Sequence, residues 1–190
     1  MKTYLFLFLI ALFTAPVTAQ DAMLTKEETV NYLQKRLREV DGRYKTVTGD
    51  KFFYREPSIM LLTDGTVELV YTATSSEFCL SGYSVKYSYR FDPGEIVKVG
   101  IYSSAKTDDP VRHLYFEFKA KTVRAREDHW KGPRCQSGLG FKYGTNGQWG
   151  DLTEVEFPFF ATSPENRGRI TRAILHLRDL ANAEEDPFSK

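Results

Sequence analysis

The chain has 190 residues, 42% of them hydrophobic, with 26 Lys and Arg set against 25 Asp and Glu. That is one domain's worth of chain, long enough to bury a hydrophobic core without staples. So even a charge balance excludes a general nucleic-acid binder, which needs an excess of Lys and Arg to displace counterions from phosphates.

The first residues predict export. Lys2 forms a short positive region, Tyr4 to Phe13 is an almost unbroken apolar run, and Pro16 breaks it. Val17-Thr18-Ala19 then reads as a small-residue cleavage site, so residues 1–19 are expected to be a signal peptide cut after Ala19. The run is short for a bilayer span and no second one follows, so no transmembrane anchor is expected after cleavage. Gln20, not Cys, would begin the mature chain, which gives no lipid-anchor signal. Losing Lys2 leaves equal numbers of basic and acidic side chains. Residues 20–190 are expected to be a single exported domain, periplasmic or secreted. In that oxidising compartment the even count of cysteines favours a Cys79–Cys135 disulfide. Closing so long a loop would contribute roughly 4 kcal/mol on the chain-entropy model.

A helix opens the mature chain. Thr25 and Glu28 make a capping box, and Val30, Leu33, Leu37 and Val40 form one apolar stripe that ends at Asp41-Gly42. The hydrophobic period then changes to two. Tyr44 to Thr48 is a short strand candidate. Ser58 to Thr63 and Thr66 to Thr74 flank Asp64-Gly65, a hairpin signal. Tyr83, Val85, Tyr87, Tyr89 and Phe91 alternate with Ser84, Lys86, Ser88 and Arg90, and Asp92-Pro93-Gly94 is a turn. Val97, Val99 and Ile101 are expected on the inward face of the next strand. Asp108-Asp109-Pro110 breaks it, and Leu114, Phe116, Phe118 and Ala120 then alternate with His113, Tyr115, Glu117 and Lys119. The charged stretch from Lys121 to Arg134 is read as the end of that strand and a solvated loop. Gly138 to Tyr143, an Asn146-Gly147 turn and Thr153 to Phe159 are expected to form a last hairpin. Thr162 or Ser163 caps a closing helix with Pro164 in its first turn, striped by Ile170, Ala173, Ile174, Leu177 and Leu180, with a frayed tail from Asn182.

The expected fold class is therefore α+β, mainly β: an N-terminal helix, seven or eight antiparallel strands in a bent sheet or barrel, and a C-terminal helix. This order, over residues 43–185, resembles the pleckstrin-homology-like fold, a bent barrel plugged by a C-terminal helix. The closing segment Ala173 to Leu180, running on to Asp186-Pro187-Phe188, resembles the ending of a family of exported bacterial proteins without assigned function. A lipocalin-like barrel is the alternative architecture. Gly147-Gln148-Trp149 spells the lipocalin triplet, but near the end of the chain rather than at a first strand, so it is read as chance.

Candidate chemistry is sparse. Lys121, Arg124, Arg126, Lys131 and Arg134 could hold an anion, as some pleckstrin-homology domains hold inositol phosphates, although Glu127 and Asp128 interrupt them. His129 to Cys135 gathers an imidazole, cations and a thiol; the bland reading is a surface loop with a disulfide at its end. The histidines 113, 129 and 176 stand far apart in sequence and in no metal-ligand spacing. His176, beside the apolar stripe of the closing helix, reads as a packed boundary residue. Tyr83, Tyr87, Tyr89 and Phe91 on one strand face either form a core or line a cavity for an apolar ligand. No catalytic residue, metal or cofactor is assigned. The functional expectation is a non-catalytic binding or interaction module of the bacterial cell envelope, its partner an envelope protein or a small ligand. The alternatives are a carrier of a small apolar molecule and a thiol- or carboxylate-dependent enzyme.

Overall fold

A computed structural model describes residues 24–47, 49–75, 83–102, 108–131 and 147–185. The expected signal peptide, both cysteines, Arg134 and the expected strand at residues 138–143 lie outside them. The architecture is α+β and mainly β. Among the described residues the order is α1 (Lys26–Arg38), β1 (Tyr44–Val47), β2 (Asp50–Leu61), β3 (Val67–Ser75), β4 (Tyr83–Phe91), β5 (Ile96–Ile101), β6 (Val111–Phe118), β7 (Val123–Lys131), β8 (Gly150–Leu152), β9 (Glu154–Phe160) and α2 (Pro164–Glu185). Among the described residues the strands do not close into one barrel. They form a six-stranded sheet, β1-β2-β3-β4-β7-β8, and a three-stranded sheet, β5-β6-β9, antiparallel throughout.

Helix α1 starts as its sequence dictates. The Glu28 N–H donates to Thr25 Oγ1 at 3.2 Å and the Thr25 N–H donates to Glu28 Oε2 at 2.8 Å. Val30, Leu33, Leu37 and Val40 are all buried, and they join Ile170, Ile174 and Leu177 of α2 in one continuous core with both sheets. Each fully buried aliphatic side chain there contributes roughly 1.5–3 kcal/mol through removal from water. The helices also meet at a polar point, where His176 Nε2 donates to the Leu24 carbonyl at 2.8 Å.

Four features depart from the pattern in the sequence, each for a local physical reason. Strand β2 begins at Asp50, eight residues before the alternation at Ser58 suggests. It carries a bulge between Arg55 and Ser58, where Pro57 offers no N–H and Glu56 sits at φ 51°. In β5 a second register shift, between Ile96 and Lys98, leaves Val97 46% exposed and buries Ile96 instead. Ala120, expected inward, lies exposed in the turn after β6. Helix α2 runs on to Glu185, past the tail expected from Asn182. Its last turns have something to pack on: Gly94 of the β4–β5 turn sits so close that an added Cβ would lie 3.0 Å from Asn182 Oδ1 and 3.6 Å from Ala181 Cβ.

The largest correction concerns residues 121–134. Within them, residues 123–131 are not a solvated loop. Residues Val123–Lys131 form β7, paired with β4 from Arg90↔Arg124 to Tyr83↔Lys131. Val123, Ala125 and Glu127 are buried while Arg124 and Trp130 are exposed, a strict two-residue alternation. Strand β9 pairs with β6, from Val111↔Phe160 to Glu117↔Glu154, and not in a hairpin with the residues before it. Pro158, which cannot donate to a ladder, is tolerated because β9 is an edge strand. The β2–β3 hairpin matches its sequence signal: Gly65 takes φ 83°, and the Asp64 carboxylate accepts from both the backbone N–H and the hydroxyl of Thr66.

Truncating the helix stripe should separate core from surface. Leu37→Ala, at a fully buried position, is expected to cost about 2–5 kcal/mol in urea unfolding. Met60→Ala, at a position 44% exposed, should stay within about 0.5 kcal/mol of wild type. Equal losses would contradict the assigned packing.

Candidate functional site

Registered rows across the six-stranded sheet change character along the strands. Leu69, Tyr89 and Ala125 lie side by side and are fully buried. Two residues further along the same face stand Tyr71, Tyr87 and Glu127, and two further again Ala73, Val85 and His129, with Tyr54 opposite Ala73. The face therefore begins as packed hydrocarbon and ends in phenols, a carboxylate and an imidazole. The other sheet meets it at both ends. Phe91 packs on Phe116 and Phe118 with ring centroids 6.2 and 5.4 Å apart. At the polar end, His113 stands edge-on to Tyr54, centroids 5.6 Å apart.

Between the sheets at this polar end is a cavity of about 230 Å³. Strand β1 contributes Lys45 and Val47, β2 Phe52 and Tyr54, and β3 Tyr71 and Ala73. Tyr83, Val85 and Tyr87 come from β4, Glu127 and His129 from β7, His113 from β6 and Glu156 from β9. Val47 is 43% exposed and marks the rim. Of the four aromatic residues singled out in the β4 sequence, Tyr83 and Tyr87 line the cavity, while Tyr89 and Phe91 belong to the core.

Two Tyr–His–Glu chains lie in its wall. In one, the Tyr83 hydroxyl is 2.5 Å from His129 Nδ1, and His129 Nε2 is 3.0 Å from Glu127 Oε2. In the other, the Tyr54 hydroxyl is 2.6 Å from His113 Nε2, and His113 Nδ1 makes an electrostatic contact of 3.2 Å with Glu156 Oε2. An ionised carboxylate only accepts, so the imidazole nitrogen facing it carries the hydrogen. In the neutral ring the other nitrogen then accepts from the phenol. Neutral rings in these positions would be opposite tautomers, Nε2–H in His129 and Nδ1–H in His113. Glu127 is 1% exposed, and its second oxygen, Oε1, has no hydrogen-bond partner among the described residues.

The phenols are kept protonated. Burial pushes Tyr54 well above its ordinary value, helped by the charges of Glu156 and Asp109. Burial likewise raises Tyr87, with Glu127 and Glu156 adding to it, and raises Tyr83, with Glu127 adding to it. The carboxyl of Glu154, on the same strand as Glu156 and hydrogen-bonded by Tyr102, is raised by burial and by the charge of Glu156. Both carboxylates are thus felt across the cavity. Asp109, nine-tenths buried, clamps the rim strand to the start of β6 by accepting from the Thr46 N–H at 2.9 Å and the Thr46 hydroxyl at 2.8 Å.

Of the basic residues singled out in the sequence, Lys121, Arg124 and Arg126 do not line the cavity. Arg124 and Arg126 lie on the opposite face of β7, with Asp151 3.5 Å and Asp128 2.8 Å away. Lys121 is exposed in the β6–β7 turn, and Lys131 ends β7. His176 sits between the helices, away from the cavity. Of the cavity residues missed in the sequence, above all Glu127, His129, His113 and Glu156, the first two carried a recoverable signal. Val123-Arg-Ala-Arg-Glu-Asp-His-Trp130 has period two, hidden because its inward positions change from apolar to polar. No family model, no curated protein and no solved structure matches the chain.

Two measurements check this geometry. Long-range ¹H–¹⁵N correlation at mildly alkaline pH should show His129 as the Nε2–H tautomer and His113 as Nδ1–H; the same tautomer in both rings would break one of the chains. The raised phenols also set an alkaline limit. Their neutral forms stabilise the fold fully below the unfolded value of about 10. That contribution is lost as pH rises above it, because the unfolded chain releases protons the folded one retains. Urea stability should fall more steeply above that pH in wild type than in Tyr54→Phe. Identical slopes would contradict the burial of that phenol.

Proposed function

We propose that the protein is a non-catalytic binding module of the bacterial cell envelope that takes a small molecule into the cavity between its two sheets. The observation that carries this reading is the cavity itself. It interrupts an otherwise continuous core, and phenols, imidazoles and carboxylates converge on it. Ligand sites commonly join apolar walls to a few convergent polar groups. An engineered apolar cavity of about 150 Å³ admits benzene, so about 230 Å³ suits a compact molecule of one ring's size. The lining favours a ligand with polar groups over the wholly apolar one expected from the tyrosine-rich strand, since an apolar guest would leave Glu127 Oε1 without a hydrogen bond.

The envelope location rests on the reading of residues 1–19 as a signal peptide. A carboxylate-dependent enzyme is the second reading, favoured by one specific feature: each Tyr–His–Glu chain is a route along which a proton can be handed to or taken from a bound molecule.

Native mass spectrometry tests the first reading. Protein purified gently from an envelope fraction, without reduction, should carry extra mass of a few hundred daltons that is lost on denaturation. Ala73→Leu, which adds bulk at the cavity wall, should keep the fold and lose that mass. A bare wild-type chain would overturn the proposal. The same spectrum tests the Cys79–Cys135 disulfide, which makes the denatured chain lighter by two hydrogens. Returning the released molecule to fresh protein separates the two readings: recovered unchanged it supports a binding module, and recovered as a different compound it supports an enzyme.

A further inference from the structure

Resting on the small-molecule reading above, we infer that the ligand is a compact organic cation, a protonated amine on a body of about one ring's size, held between Glu127 and Glu156.

The hydrogen-bond accounting of the wall leads there. Both nitrogens of His129 are hydrogen-bonded, one to a phenol and one to a carboxylate, so neither is left for a guest. His113 shares a hydrogen bond with Tyr54 through Nε2, and Glu156 Oε2 lies 3.2 Å from its Nδ1. Tyr54 and Tyr83 spend their hydrogens on those imidazoles, so what they still offer is an oxygen lone pair. Glu127 and Glu156 offer only acceptors. Acceptors thus converge on the space beside the hydroxyls of Tyr71 and Tyr87 and the ammonium of Lys45, the lining's one permanently cationic side chain.

The charge accounting agrees. The two carboxylates of the lining, Glu127 and Glu156, outnumber its one permanently cationic side chain, Lys45. A buried carboxylate that lacks partners is costly, and Glu127 is 1% exposed with Oε1 unpartnered among the described residues. A ligand ammonium would bring N–H donors to Glu127 Oε1 and a positive charge to the two carboxylates. An anionic ligand would add a third negative charge to two that already bear on the cavity phenols. The aromatic side chains around the space suit the rest of the guest: they bury an apolar body, and a ring face attracts a cation.

Three probes of one shape test this: benzylamine, benzyl alcohol and benzoate, titrated by calorimetry at neutral pH and by chemical-shift perturbation. Benzylammonium is expected to bind, benzyl alcohol about tenfold or more weakly, as loss of a charged hydrogen bond implies, and benzoate not measurably. Glu127→Gln should weaken benzylammonium by a similar factor while leaving benzyl alcohol unchanged. Glu156→Gln is the second variant should the first fail to fold. If benzyl alcohol or benzoate binds as well as the amine, and Ala73→Leu abolishes that binding, the cavity is a ligand site but the cation inference is wrong. If none of the three binds and the native spectrum shows a bare chain, the small-molecule reading falls with it. Benzylammonium binding that Ala73→Leu leaves untouched would place the amine outside the cavity and also overturn the inference.

Discussion

Two sheets that share no strand must be joined by side chains, and here the join differs at its two ends. At one end Phe91 of the larger sheet packs into Phe116 and Phe118 of the smaller, and water is excluded. At the other the contact is a buried hydrogen bond, Tyr54 to His113, backed by Glu156 and flanked by the Asp109 clamp on β1. Hydrocarbon fills space without regard to direction, whereas hydrogen bonds hold groups apart at fixed distances. A polar join can therefore leave a cavity that an apolar join would collapse. The position of the site, the protonation of its phenols and the orientation of its imidazoles all follow from that difference.

Strand β7 shows the same trade within nine residues. Its inward positions begin with Val123 and Ala125, fully buried, and continue with Glu127, equally buried but polar, and His129, whose side chain is 4% exposed. Burying a carboxylate costs stability unless it is paired and hydrogen-bonded. The cost is partly offset by a chain of partners reaching across β4 to Tyr83. One carboxylate oxygen is left over. A sequence that contradicts its own burial pattern at one place, while keeping to it elsewhere, marks the place where the fold has given up stability for something else.

Much of the framework is legible from local signals. The Thr25–Glu28 capping box, the Asp64-Gly65 turn and the unbroken alternation of Tyr83 to Phe91 each depend on residues within a few positions of one another, and each forms as its spacing implies. Errors arise where a neighbour in space overrides the local pattern. Pro57 forces a bulge that carries β2 on past its apparent start, a register shift turns Val97 outward, and the packing of Ala181 and Asn182 on Gly94 prolongs α2. His113 alternates with the core residues of β6 and reads as an outward position, yet it is buried because Tyr54 and Tyr71 of the other sheet cover it.

The sequence by itself determined the elements whose information is local: both helices with their stripes, most of the strands, the α+β class and a tyrosine-rich strand face. Tertiary structure alone decided the division into two sheets, the recruitment of a charged segment as β7, and the meeting of Glu127 and His129 with His113 and Glu156. The reason is physical. Capping, turns and periodicity act over a few residues and are written in order along the chain. A cavity belongs to side chains from seven strands, and in none of those strands does the local pattern say what the others will bring.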